Sequence, residues 1–246
     1  PGRQAPALVA GPGRDGRWSR TAVMHLILER CARERCLVGL DFAFGFPAEH
    51  GPFDWAYVEA HCAADANFYG GRFFHTPAAE HADFINSPKH KGARYRAKAH
   101  RATEIRAALT KGATPQTVFN AIGAAQVGPS SISGMRMLGT LAVQGAAHLS
   151  IWPFSPISMQ RSVIVEIFPR LFPLLHGVPP AMKVHANLNR ALAAFDSDPV
   201  VEPPSTEDEG DALISSAALR RLSANADCFV LPEKPPAGEG WIFGVR

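Results

Sequence analysis

The sequence predicts an α/β domain, and three observations carry that prediction. Leu37–Phe42 and Ser162–Phe168 are short, nearly continuous apolar runs, the pattern of strands covered on both faces. Segments with helical spacing lie between and after them, as in alternating α/β folds. The chain of 246 residues also has ample length for a hydrophobic core.

In order along the chain, Ala7–Ala10 reads as a short strand, followed by a turn at Gly11–Gly16. Ser19 is placed to cap a helix whose apolar pattern is Val23, Leu26, Ile27 and Cys31. The strand at Leu37–Phe42 runs into Phe42–Pro47, where Gly45 and Pro47 enforce a turn. A helix follows at Asp54–Asp65. Residues 67–147 carry little strand signal and read as a helical and loop insertion, with a small-residue helix around Ile132–Gln144. Strands resume at His148–Phe154 and Ser162–Phe168. Ala181–Phe195 forms a helix with Met182, Val184, Leu188, Leu192 and Phe195 inward. Asp196–Glu207 holds several prolines and reads as a linker or mobile loop. A last helix begins near Asp208, and Gly240–Val245 reads as a late strand. There is no internal repeat.

Composition excludes several classes. The formal charge of +3 makes no global polycation, so a nucleic-acid contact needs a local patch. Four cysteines with no Cys-x-x-Cys pair offer neither a disulfide scaffold nor a zinc site. No apolar run reaches membrane-spanning length and no signal peptide is visible, so a cytoplasmic protein is expected.

Three acidic positions point to chemistry. Asp41 ends the first strong strand, Glu166 lies inside Val163–Phe168, and Asp208 and Asp211 open the last helix on one face of its first turn. A carboxylate inside an apolar strand costs several kcal/mol unless an arginine, a metal or several donors compensate. Oxygen-only ligands suit Mg²⁺ or Mn²⁺, and converging carboxylates around such ions suit phosphodiester hydrolysis. The structural alternatives are a helix cap for Asp208 and an ion pair with Arg170 or another arginine for Glu166.

The segments Val38–Pro47 (VGLDFAFGFP), Val165–Pro169 (VEIFP) and Asp208–Arg220 (DEGDALISSAALR) resemble the signature segments of a predicted-nuclease family of unknown function. The spacing Asp208-x-x-Asp211-Ala212-Leu213 is also similar to the last helix of RuvC-type junction resolvases. The resemblance implies a ribonuclease-H-like mixed sheet flanked by helices, and a metal-dependent nuclease. Asp41, Glu166, Asp208 and Asp211 would form its catalytic cluster, with Asp41, Glu166 and Asp211 on the metal. Such nucleases carry a further Asp on their first strand. Ala7–Ala10 has none and Asp15 falls in a turn, so that strand and its Asp are expected before Pro1. The other readings are a non-catalytic module that binds nucleic acid or protein, and a small-molecule phosphohydrolase using the same acids.

Between Lys89 and Lys111, eight cations stand against one acid, Glu104. Lys89, Lys91, Arg94, Arg96, Lys98 and Arg101 would hold backbone phosphates, and Tyr95 could stack on a base. The alternatives are a solvated helix face and, within Arg101–Glu104, a structural motif in which Glu104 tethers an arginine. His61, His75 and His81 lack a compact ligand spacing. Gly128–Ser131 could cap a helix or bind an anion at its N-terminus.

Overall fold

The computed structural model describes residues 3–76, 78–124 and 126–246. Helix α1 (Arg20–Arg33) starts where the Ser19 hydroxyl accepts the Ala22 amide at 3.1 Å. It leads into strand β1 (Leu37–Leu40). Helix α2 (Trp55–Cys62) is capped by Asp54, which accepts the Tyr57 amide at 2.7 Å. A small antiparallel pair, β2 (Asn86–Ser87) and β3 (His90–Lys91), precedes α3 (Ala102–Ala107) and the long α4 (Gly128–Gln144). Then come β4 (Leu149–Ile151), β5 (Ser162–Glu166), α5 (Leu171–Leu175), α6 (His185–Ala194) and α7 (Glu207–Leu222).

The main sheet has the order β1-β5-β4 and is parallel throughout. Period-2 alternation sends successive side chains to opposite faces. On one face Val38, Leu40, Ile151 and Ile164 pack with Ile27 of α1 and Leu138 and Leu141 of α4. On the other, Val163 and Val165 pack with Leu188 of α6 and Ile214 and Ala218 of α7. Gly39 lets α7 come close, since a Cβ there would meet Leu219 at 2.7 Å and Ile167 at 2.9 Å. The α/β expectation is met, and both helical layers are in place.

Several expected elements are shorter or absent. Ala7–Ala10 is coil and pairs with no strand among the described residues, so its apolar residues gain no ladder there. Gly240–Val245 contributes one bridge, Ile242 to Glu166, rather than a strand. The expected mixed character is missing from the main sheet among the described residues: both ladders and the Ile242 bridge are parallel. Val184, expected inward, precedes α6 and is exposed, while Met182, Leu188, Leu192 and Phe195 are buried. The Asp196–Glu207 segment is pinned: Val200 donates its amide to Asn189 at 3.0 Å, and Asp196 pairs with Arg221.

The insertion expected at 67–147 has its own aromatic core, yet that core also draws in Phe46, Phe53, Val58 and Cys62 from before residue 67. Helix α4 joins the two cores. Ile132 and Met135 face the aromatic one, and Leu138 and Leu141 face the sheet. The four cysteines are free thiols. No helix among the described residues is long and apolar enough to cross a membrane.

Candidate active site

The turn after β1 fixes Asp41. Ala43 donates its amide to Ser131 of α4 at 3.1 Å, Phe44 donates to Glu166 at 3.0 Å, and the Trp55 indole donates to the Phe44 carbonyl at 2.8 Å. The Phe42 ring lies against Gly134, where a Cβ would sit 2.3 Å from it. This places Asp41 at the carboxyl end of the parallel sheet, where α/β proteins tend to bind ligands.

Helix α7 brings its first turn to the same place. The Thr206 hydroxyl accepts the Glu209 amide at 3.1 Å, and Glu207 accepts the amides of Met182 and Lys183 at 2.9 and 3.1 Å. Asp208 and Asp211 are left to face a cleft of about 880 Å³, which Asp41 also lines. Among the described residues, none donates a hydrogen bond to these three carboxylates and none forms an ion pair with them. Burial and the neighbouring charges of Asp211, Glu166 and Asp208 push the Asp41 carboxyl up to about 7, although water reaches it from the cleft. Burial, with Glu207 and Asp208, pushes Asp211 up to about 6 against the opposing pull of Arg170. All three acids line this one cleft.

Glu166 is a correction. Its side chain is 2% exposed and held by two bonds from Arg101, Nη2 to Oε1 at 2.5 Å and Nη1 to Oε2 at 2.7 Å. Phe44 supplies a third donor. Burial raises its carboxyl, and Arg101 and the Phe44 amide pull it back. With its oxygens engaged by an arginine fork and an amide, Glu166 serves the fold as an ion-pair partner and is not a free metal ligand. The arginine-pair alternative holds, with Arg101 in place of Arg170.

Arg101 is the second correction. It is 1% exposed and cannot meet a phosphate backbone. It also donates to Glu104 Oε1 from Nε at 3.0 Å and to the Glu239 carbonyl at 2.8 Å. The tether to Glu104 is the structural motif considered for this stretch. The Glu239 carboxylate, buried beside it, accepts the amides of Ala48 and Ala102. Glu239 lies between two glycines in the C-terminal coil, and no periodicity in the sequence marks it.

Lys89, Lys91, Arg94, Arg96 and Lys98 are exposed on and after the β2–β3 hairpin, so the run is not a helix face. Arg94 lies over Phe84 at 4.4 Å, Arg96 donates to the Ala93 and Tyr95 carbonyls, and Lys91 sits over Tyr95. Tyr95 therefore already carries a cation on its ring. None of these cations lines the acidic cleft. His81 is buried between the Tyr57 hydroxyl and the Phe73 carbonyl, and burial lowers it to about 4. His61 bonds the Tyr57 carbonyl, and His75 is exposed. The Ser130 hydroxyl bonds Val127 at the start of α4.

No group of three or more His, Cys, Asp or Glu among the described residues is gathered closely enough to hold a metal ion by itself. The donor chemistry of Asp41, Asp208 and Asp211 still fits Mg²⁺ or Mn²⁺, which are commonly held by one or two carboxylates, with water and substrate phosphates completing the shell. It does not fit a cage that includes Glu166. Comparison with protein-family models, curated proteins and solved structures gave no match.

Proposed function

We propose that the protein hydrolyses nucleic-acid phosphodiesters with a divalent metal, on a domain of ribonuclease-H-like type. The observation that carries this reading is the set of three unpartnered carboxylates, Asp41, Asp208 and Asp211, facing one cleft at the carboxyl end of the sheet. Elsewhere the fold neutralises its buried acids with amides or arginines, as at Glu104, Glu166 and Glu239. Asp41 and Asp211, whose proton affinity is raised by burial and neighbouring charge, gain most from a cation there.

Asp41 and Asp211 would hold Mg²⁺ or Mn²⁺ from opposite sides of the cleft, with Asp208 at its rim. The bound ion would supply charge stabilisation at the phosphoryl oxygens. With the ion bound, the Asp41 and Asp211 carboxylates would both stay ionised, because the cation offsets the burial and neighbouring charge that raise them. Lys89, Lys91, Arg94, Arg96 and Lys98 would contact the phosphate backbone away from the reacting bond.

The test uses end-labelled single-stranded DNA, duplex DNA, branched DNA and RNA, with and without Mn²⁺. Cleavage that needs Mn²⁺ and is lost in Asp41→Asn and Asp211→Asn supports the proposal. Salt-sensitive binding without cleavage identifies the non-catalytic module instead, the reading favoured by the engagement of Glu166 with Arg101.

A further inference from the structure

We propose that a hollow over the ends of β1 and β5 receives one unpaired pyrimidine ring of the substrate strand, beside the phosphate held at Asp41. The inference rests on the nuclease reading and deepens it by naming the base. Asp41 and Phe42 lead out of β1 into the hollow, and Phe168 follows β5. Gln116, with Val127 and Ser130 at the start of α4, completes the wall. These walls come from β5 and α4, so the hollow is separate from the outer edge of β1.

Size selects the occupant first. The hollow measures about 150 Å³. An apolar cavity of about that volume holds a single benzene ring. One six-membered ring therefore fits, and the second ring of a purine would stand outside.

Charge selects it next. The floor is the Arg101 network, in which every guanidinium hydrogen is engaged by Glu104, by Glu166 or by the Glu239 carbonyl. No free cation lines the hollow among the described residues, and Asp41 would repel an anion there. A phosphate is thereby excluded and a neutral group favoured. Phe42, Val127 and Phe168 are half-buried and give apolar walls that suit the faces of a flat ring. Gln116 serves its edge. The Gln116 Nε2 donates to the Thr114 carbonyl at 3.1 Å, which leaves one Nε2 hydrogen and Oε1 open among the described residues. The Ser130 hydroxyl donates to the Val127 carbonyl at 2.9 Å and keeps its lone pairs. A pyrimidine has the matching make-up: neutral, apolar on both faces, with donors and acceptors on its edge.

Asp41 lines both this hollow and the 880 Å³ cleft. A base seated in one holds its own phosphate beside the acids in the other, which fixes the bond presented for cleavage. The ring must leave its base pair to enter, so single strands are preferred.

Binding and cutting are read separately. Shifts of the Gln116 and Ser130 amide resonances follow titration with cytidine, uridine, adenosine and inosine in metal-free buffer. We expect the pyrimidine nucleosides to bind at about 1 mM and the purines at least about tenfold more weakly. Gln116→Ala should weaken the pyrimidines about fivefold. Val127→Trp, which fills the hollow, should abolish their binding. With Mn²⁺, cuts in a single strand of mixed sequence should fall beside pyrimidines, and Gln116→Ala should lower that preference. Equal binding of all four nucleosides, or none at about 10 mM, overturns the proposal. Cuts spread evenly over all bases overturn it too, and the nuclease reading survives either result. Selective pyrimidine binding without any cleavage supports the hollow as a base site and overturns the nuclease reading instead.

Discussion

Asp41→Asn should make the folded protein more stable at neutral and alkaline pH, and only there. The group's ordinary value of 3.8 rises to about 7 in the folded state, so between these values the native protein binds more protons than the unfolded chain. Stability then falls as pH rises from about 4 to about 7 and is level beyond. A shift of about 3 units corresponds to at most about 4 kcal/mol, at 1.36 kcal/mol per unit. Asp41 is open to water from the cleft, so screening reduces this to about 1 kcal/mol. Urea unfolding of wild type and variant at pH 4 and pH 8 reads the effect directly. The two should coincide at pH 4, with the variant about 1 kcal/mol ahead at pH 8. Added Mn²⁺ should close the gap by stabilising only the wild type. A variant equally or less stable at pH 8 would refute the idea that Asp41 is held against its own electrostatics.

Glu166→Gln should cost about 3 kcal/mol, because it leaves a buried Arg101 short of a charge partner; calorimetry should show this loss with Mn²⁺ affinity unchanged. His81 works in the opposite direction to Asp41 over a similar range. Burial lowers it from 6.5 to about 4, so its contribution is present above about 6.5 and is lost as pH falls toward 4. His81→Gln should therefore flatten the acid limb of the stability profile, measured as a difference from wild type. Lys98→Ala should weaken nucleic-acid binding alike for all sequences and lower the salt slope by about one, whereas a slope unchanged by Lys89→Ala and Lys98→Ala together would remove this loop from the interface.

The parts of the fold legible in the sequence are those in which local pattern and burial agree. The apolar runs at Leu37 and Val163 became neighbouring parallel strands, and the Ser19 cap starts α1 as its spacing requires. The first-turn acids of α7 point where the Asp208–Asp211 spacing places them. Ala7–Ala10 has the composition of a strand, but a strand exists only with a partner, and the structure gives it none. Lys98 and Arg101 are three residues apart in one basic run. One is solvated, and the other is the hub of a buried network that adds to the local Glu104 tether the Glu166 carboxylate and the Glu239 carbonyl, 65 and 138 residues further on. The Glu104 tether is a local pattern, but the two distant contacts are not, because contacts across such separations are made by the fold as a whole.

Glu166 and Asp41 show how the fold treats two acids at the ends of adjacent strands. Leu40 is in register with Glu166, so Asp41 lies one residue beyond it along β1. Each is an acid that its surroundings make costly to ionise. For Glu166 the cost is offset within the chain, by Arg101 and the Phe44 amide. For Asp41 and Asp211 no hydrogen bond or ion pair from a described residue does this, and Arg170 only partly opposes the rise at Asp211, so both carry raised proton affinity. A cation is the complement that the proposed function assigns to these acids.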